Sequence, residues 1–183
     1  MAENTLPTLA DLTTDLSLAW KNDQLNLLLN QEPPAKWVKE HPYIKGHKYL
    51  PIDKVEHLLR KIFKEYKISI TNQGSAFNGV WITVRVEFKS PTSGDWLFYD
   101  GIGACQLQTK AGTSPSDLIN INNGALSMAF PIAKSLAVKD ACDHFGSLFG
   151  ANLNRKDVLP YKIDENIPSG KSNTEKMAAH GKL

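Results

Sequence analysis

Cysteine is scarce in this chain: two residues in 183, Cys105 and Cys142, stand 37 positions apart and outside any CxxC pair. That usage excludes a disulfide scaffold and predicts a reducing compartment. No run of about 18 apolar residues occurs, so no membrane span is expected. The start, Met1-Ala2-Glu3-Asn4, has neither a basic n-region nor an apolar h-region, so no secretory signal is predicted. Histidine is also sparse, at positions 41, 47, 57, 144 and 180. The one dense cluster is Cys142-Asp143-His144. Adjacent helical residues point about 100° apart, so these three do not converge on one ion or form a nucleophile–base pair. Cys142 reads instead as a small helix-packing residue. Ser169-Gly170-Lys171-Ser172 ends like a phosphate-binding loop, but Glu165 occupies the place of the loop's first glycine and no strand precedes it. No ATP hydrolysis, no cofactor and no metal are therefore expected. The chain is not expected to be an enzyme.

What is present is sorted charge. The total of 21 basic and 19 acidic side chains gives +2, but a total hides distribution. Residues 1–35 hold five acids against one lysine, and residues 36–67 hold nine Lys/Arg against four acids. An acidic arm thus precedes a basic segment. The sorting points to a polyanionic partner, with ordinary surface decoration as the plain competitor.

Periodicity outlines the fold. Leucines 9, 12, 16, 25, 28 and 29 with Trp20 predict two short amphipathic helices, with Asp11 and Asp15 on their polar side, before the Pro33-Pro34 breaker. The spacing of Val55, Leu58, Leu59, Ile62, Phe63 and Tyr66 predicts a helix over 53–66. Arg60, Lys64 and Lys67 fall within about 60° of one another on its other side, extended by Lys54, His57 and Lys61. Strands follow at 67–71, 80–88 and 96–103, separated by turns at 74–79 and 91–94. The middle strand alternates strictly, Val80, Ile82, Val84, Val86 and Phe88 against Trp81, Thr83, Arg85 and Glu87. Residues 106–124 read as a long polar loop, and long loops in compact domains are often functional. A second helix is predicted over 126–149, with Ala133, Ala137 and Ala141 permitting close approach and Gly150 as its stop. Tyr99 and Trp96 read as core. Trp81 and Arg85 read as lining a groove or meeting a neighbour. The expected class is α+β: an antiparallel meander of three or more strands packed by a long helix, in helix-strand-strand-strand-helix order. The organisation is an acidic helical arm at 1–35 that docks on a neighbouring subunit or masks a groove, a core at 36–163 and a flexible polar tail at 164–183.

Specific residues then resemble a known family. Ile132 through Gly150, followed by Asn152-Leu153-Asn154-Arg155-Lys156-Asp157, resembles the signature helix and turn of the Rad-fifty-two/Rad-twenty-two single-strand DNA annealing proteins. Val84-Arg85-Val86-Glu87-Phe88-Lys89 and Asp100-Gly101-Ile102-Gly103 resemble that family's second and third strands. Lys54-Val55 is similar to a basic-Val pair there, and Trp37 through Pro42 adds to the likeness. The likeness covers about 36–163 and is nearest the shorter phage and mobile-element branch. It implies ATP-independent binding and annealing of single-stranded DNA in recombination or repair, by homo-oligomeric rings or helical filaments. It also implies a host single-strand-binding protein as a further partner, no membrane, and a bacterial cytoplasm if the chain is phage-encoded.

Lys54, Lys139 and Lys110 fall where the family places DNA-contacting basic residues. Asp140 and Asp143 depart from it, standing where basic residues are usual, with Arg155 and Lys156 as compensation. The DNA-binding set is Lys54, Arg60, Lys61, Lys64, Arg85, Lys110, Lys134, Lys139, Arg155 and Lys156. Two other classes compete. A double-stranded RNA module shares the helix-meander-helix order but wants a basic cluster at the start of its last helix. A metal nuclease wants clustered carboxylates, whereas Asp95, Asp100 and Asp117 are scattered.

Overall fold

A computed structural model describes residues 16–158, apart from Tyr43 and Pro115. The remainder of the predicted arm and the 164–183 tail lie outside the described residues. Helix α1 spans Leu16–Leu29, and a short 3-10 turn Ala35–Trp37 leads to a small hairpin, β1 (Lys39–Glu40) with β2 (Lys48–Tyr49). Helix α2 spans Ile52–Ile62. The meander follows: β3 (Tyr66–Ala76), β4 (Gly79–Lys89) and β5 (Trp96–Gln106), antiparallel and in that spatial order. Helix α3 (Ala125–Asp143) crosses one face of the sheet, and a 3-10 turn Ser147–Phe149 follows it. The chain is α+β.

Strand β4 carries the core. Val80, Ile82, Val84, Val86 and Phe88 are buried and their alternates half-exposed, as period two requires. Burying each such side chain contributes roughly 1.5–3 kcal/mol. Helix α3 approaches β5 very closely because both surfaces are bare. Ala133, Ala137 and Ala141 are fully buried, and Gly101 and Gly103 oppose them. A Cβ on Gly101 would overlap the Ala137 carbonyl and the Ala141 amide, and one on Gly103 the Ala133 carbonyl. The alanine repeat therefore meets a glycine pair in its own chain.

Several element ends differ from expectation. Helix α2 stops at Ile62, not Tyr66, because the chain must turn into β3 at once: Phe63 remains buried as the cap and Lys64 adopts φ 59°. Lys64 is thus off the cationic helix face. Gly74 is not a turn residue. It lies within β3, where its missing side chain lets the Trp81 ring lie across the strand, with ring atoms 2.8–2.9 Å from where a Cβ would stand. The turn is Phe77-Asn78, and a bulge between Ile70 and Asn72 absorbs the register shift. Helix α3 ends at Asp143 instead of Phe149. Gly146, at φ 122°, redirects the chain so that Phe145 and Phe149 both reach the aromatic cluster with Phe63 and Phe88. The 106–124 loop is partly organised by a Thr109–Ile121 bridge and a 3-10 turn, Leu118–Asn120.

The arm's described end packs against its own chain. Leu29 is buried, Leu25 packs beside it, and the Leu29 carbonyl lies against Gly146. Cys142 is fully buried in the core, and burial pushes its thiol pKa up, in keeping with a packing role. No described helix is long and apolar enough to cross a membrane.

Candidate nucleic-acid interface

The last turns of α3 face the β1–β2 hairpin across a cleft of about 380 Å³. His47, Lys48, Tyr49, Lys139, Asp143 and Asn154 line it, with β5 supplying Ile102 to Ala104. Asn154 fixes one wall. Its amide donates to the Lys48 carbonyl at 2.8 Å and its oxygen accepts from the Lys48 amide at 2.7 Å, so the segment after α3 is tied to β2 like an extra strand. Lys139 extends over the Tyr49 ring, Nζ to centroid 5.1 Å. Burial holds its ammonium below the usual lysine range, with Asp143 acting in the opposite direction. Asp143 keeps a side open to solvent, yet its carboxyl is pushed up to about 6. Desolvation against the helix end is the main cause and the Asp140 carboxylate the next; Lys139, His144 and Arg155 partly offset them.

Lys54 sits near the start of α2, after Leu50, which lines the cleft, but is not itself among the lining residues. Its ammonium lies 5.8 Å from the Trp37 ring and 2.9 Å from Asp53, an exposed pair that contributes little. Trp37 is held edge-on to His57 at 5.7 Å. Arg60 and Lys61 continue outward along α2, exposed and without ion pairs among the described residues. Arg155 is exposed at a recess that also holds Asp143 and Asp157, and Lys156 is exposed beside it.

Other expected residues lie elsewhere. Lys134 is exposed, but five residues from Lys139 is about 140° around the helix, so it points away from the cleft. Lys110 is exposed in the loop, its backbone bonded to Thr113 and Asn120. Arg85 is on the open face of the sheet and is already bound. It donates to both oxygens of Asp100, directly across the β4–β5 ladder, at 2.8 and 2.9 Å, and it lies 4.0 Å above Phe98. That pairing holds Asp100 below the usual carboxylate range.

Trp96 is not core. It is on the same open face with Lys67 4.8 Å above its ring, and Tyr99 is the aromatic that packs inward, on Phe88 and Phe145. Sequence reasoning missed His47, Lys48, Tyr49 and Asn154. Lys48-Tyr49 lies in the basic segment, but a basic residue beside an aromatic carries no direction until the hairpin is built. Among the described residues no three His, Cys, Asp or Glu side chains gather as for a metal. No family model and no curated protein matches the chain.

Proposed function

We propose that this chain is a homo-oligomeric protein that binds single-stranded DNA and anneals complementary strands without nucleotide, in recombination or repair. The observation that carries it is Lys139 laid over Tyr49 in a cleft shared with Lys48 and His47. Sequence-tolerant capture of a single strand needs cations for phosphates and aromatic faces for bases, and this wall supplies both. Lys54 over Trp37 repeats the pairing just beyond the hairpin. The resemblance to an annealing family, through Lys54-Val55 and the α3 sequence, selected Lys54 and Lys139 independently of that geometry.

Assembly is supported by exposed apolar side chains crowding both sides of the free β5 edge. Phe98 stands on the open face of the sheet, and Met128 and Ile132 lie one turn apart on α3. Uncovered patches of this kind on a small domain mark interaction surfaces, and a second copy of the chain is the occupant proposed here. Repetition of a modest cleft around an assembly supplies the avidity that a protomer of net charge +2 lacks.

The test is anisotropy of a labelled oligonucleotide at several salt concentrations, with duplex RNA as a control. The proposal expects single-strand affinity to fall steeply with salt, and the Lys54→Ala/Lys139→Ala pair to weaken it. Preference for duplex RNA, or affinity unchanged by the pair, contradicts it.

A further inference from the structure

Asp143 is the one carboxylate of the cleft wall with nothing to hold. Asp140, one helical turn before it, accepts a hydrogen bond from the Ile102 amide at 2.9 Å. Among the described residues the Asp143 side chain makes no hydrogen bond and no ion pair. It lies on the same side of α3 as Lys139, four residues on, and lines the same cleft. Gly150, just after the 3-10 turn, lies near it: a Cβ there would stand 3.7 Å from the Asp143 Oδ1, an ordinary contact distance. Its charged surroundings are Lys139, Asp140 and His144 on its own helix end, Arg155 and Asp157 from the following segment, and His47 and Lys48 across the cleft.

We infer that Asp143 is the built-in competitor of the DNA phosphate for Lys139, and that strand capture is governed by the protonation of this carboxyl. The inference rests on reading the cleft as the single-strand site. An ionised Asp143 partly satisfies Lys139 and repels an incoming phosphate. A neutral one leaves Lys139 to the strand. The raised carboxyl, titrating near 6, places that change just below neutral pH. The charge also fits an annealing cycle. A strand held too firmly cannot be released as duplex, and a fixed anion beside the main lysine keeps capture reversible.

The experiment measures oligo-dT affinity of the full chain at pH 7.5 and pH 5.5 for the unmodified protein, Asp143→Asn, Asp143→Ser and His47→Gln. At pH 7.5 both Asp143 variants bind about fivefold tighter, and the unmodified protein closes that gap on acidification. With His47 across the cleft and His144 beside Asp143, the gain on acidification is expected to shrink in the Asp143 variants without vanishing. His47→Gln keeps the part that belongs to Asp143. Equal affinity of the unmodified protein and both Asp143 variants at pH 7.5, or an undiminished acid response in both Asp143 variants, overturns the inference while leaving the single-strand reading intact. An unmodified protein that binds no strand at either pH overturns that reading itself.

Discussion

The Asp140 carboxylate accepts a hydrogen bond from the backbone amide of Ile102, 2.9 Å away. Ile102 lies on the edge strand β5, and its N–H points away from the ladder toward α3. One side chain thereby satisfies an edge donor and pins the helix to the sheet. The acidic residue that departs from the family's pattern has a structural task at that point.

Asp140→Ala is therefore expected to destabilise the fold by about 0.5–1.5 kcal/mol, because the Ile102 amide exchanges its carboxylate partner for water and the helix loses that tie to the sheet. Asp140→Asn, which keeps an acceptor, costs less. Urea unfolding monitored by tryptophan fluorescence measures both. Neither is expected to tighten DNA binding as Asp143→Asn does.

The glycine pair of β5 gives a second prediction. Gly101→Ala or Gly103→Ala places a methyl into the α3 backbone, so the helix must lift off the sheet. A loss of about 3 kcal/mol or more is expected for each, at the upper end for single substitutions. A thermal midpoint unchanged in either variant contradicts the packing described.

Arg85 and Lys139 separate two surfaces. Arg85 is held by Asp100 through two hydrogen bonds, whereas Lys139 has no ion pair among the described residues. Lys139→Ala is expected to weaken single-strand affinity about tenfold at low salt and lower the salt slope by about 0.7. Arg85→Ala should change affinity by less than about twofold. A reversed order places the strand on the open sheet face, over Trp96 and Phe98.

Asp143 also links stability to pH. Its carboxyl is raised in the folded state, from an ordinary 3.8 to about 6, so between those values the folded chain holds the extra proton. Stability is then greatest below the lower value and falls as pH rises through the window. Asp143→Asn removes this cost. After discounting for its open side, the variant is expected to gain about 1 kcal/mol at pH 7.5 and nothing at pH 4. Chemical denaturation at the two pH values reads the difference.

The meander was legible because β4 is strictly two-periodic and both hairpin partners are bounded by turn residues. The alanine stripe of α3 correctly announced a close approach. What it met, Gly101 and Gly103, was visible as Asp100-Gly101-Ile102-Gly103, but only the three-dimensional register pairs them. Gly74 misled because a glycine beneath a flat-lying Trp81 looks, in sequence, like a turn. The helix face of Arg60, Lys61 and Lys64 was overdrawn, since helix periodicity does not reveal that Phe63 ends α2. Of the selected cations, Lys139 lines the cleft and Lys54 does not. The hairpin residues opposite, joined only by the Asn154 clamp over a long stretch of chain, had no local signature.

The most direct measurement is annealing of two labelled complementary oligonucleotides, followed by energy transfer, with no nucleotide and no metal added. The account predicts a rate well above that of the free strands, lost in high salt and reduced in the Lys54→Ala/Lys139→Ala variant. A rate equal to that of the free strands, from a folded protein at low salt, contradicts it.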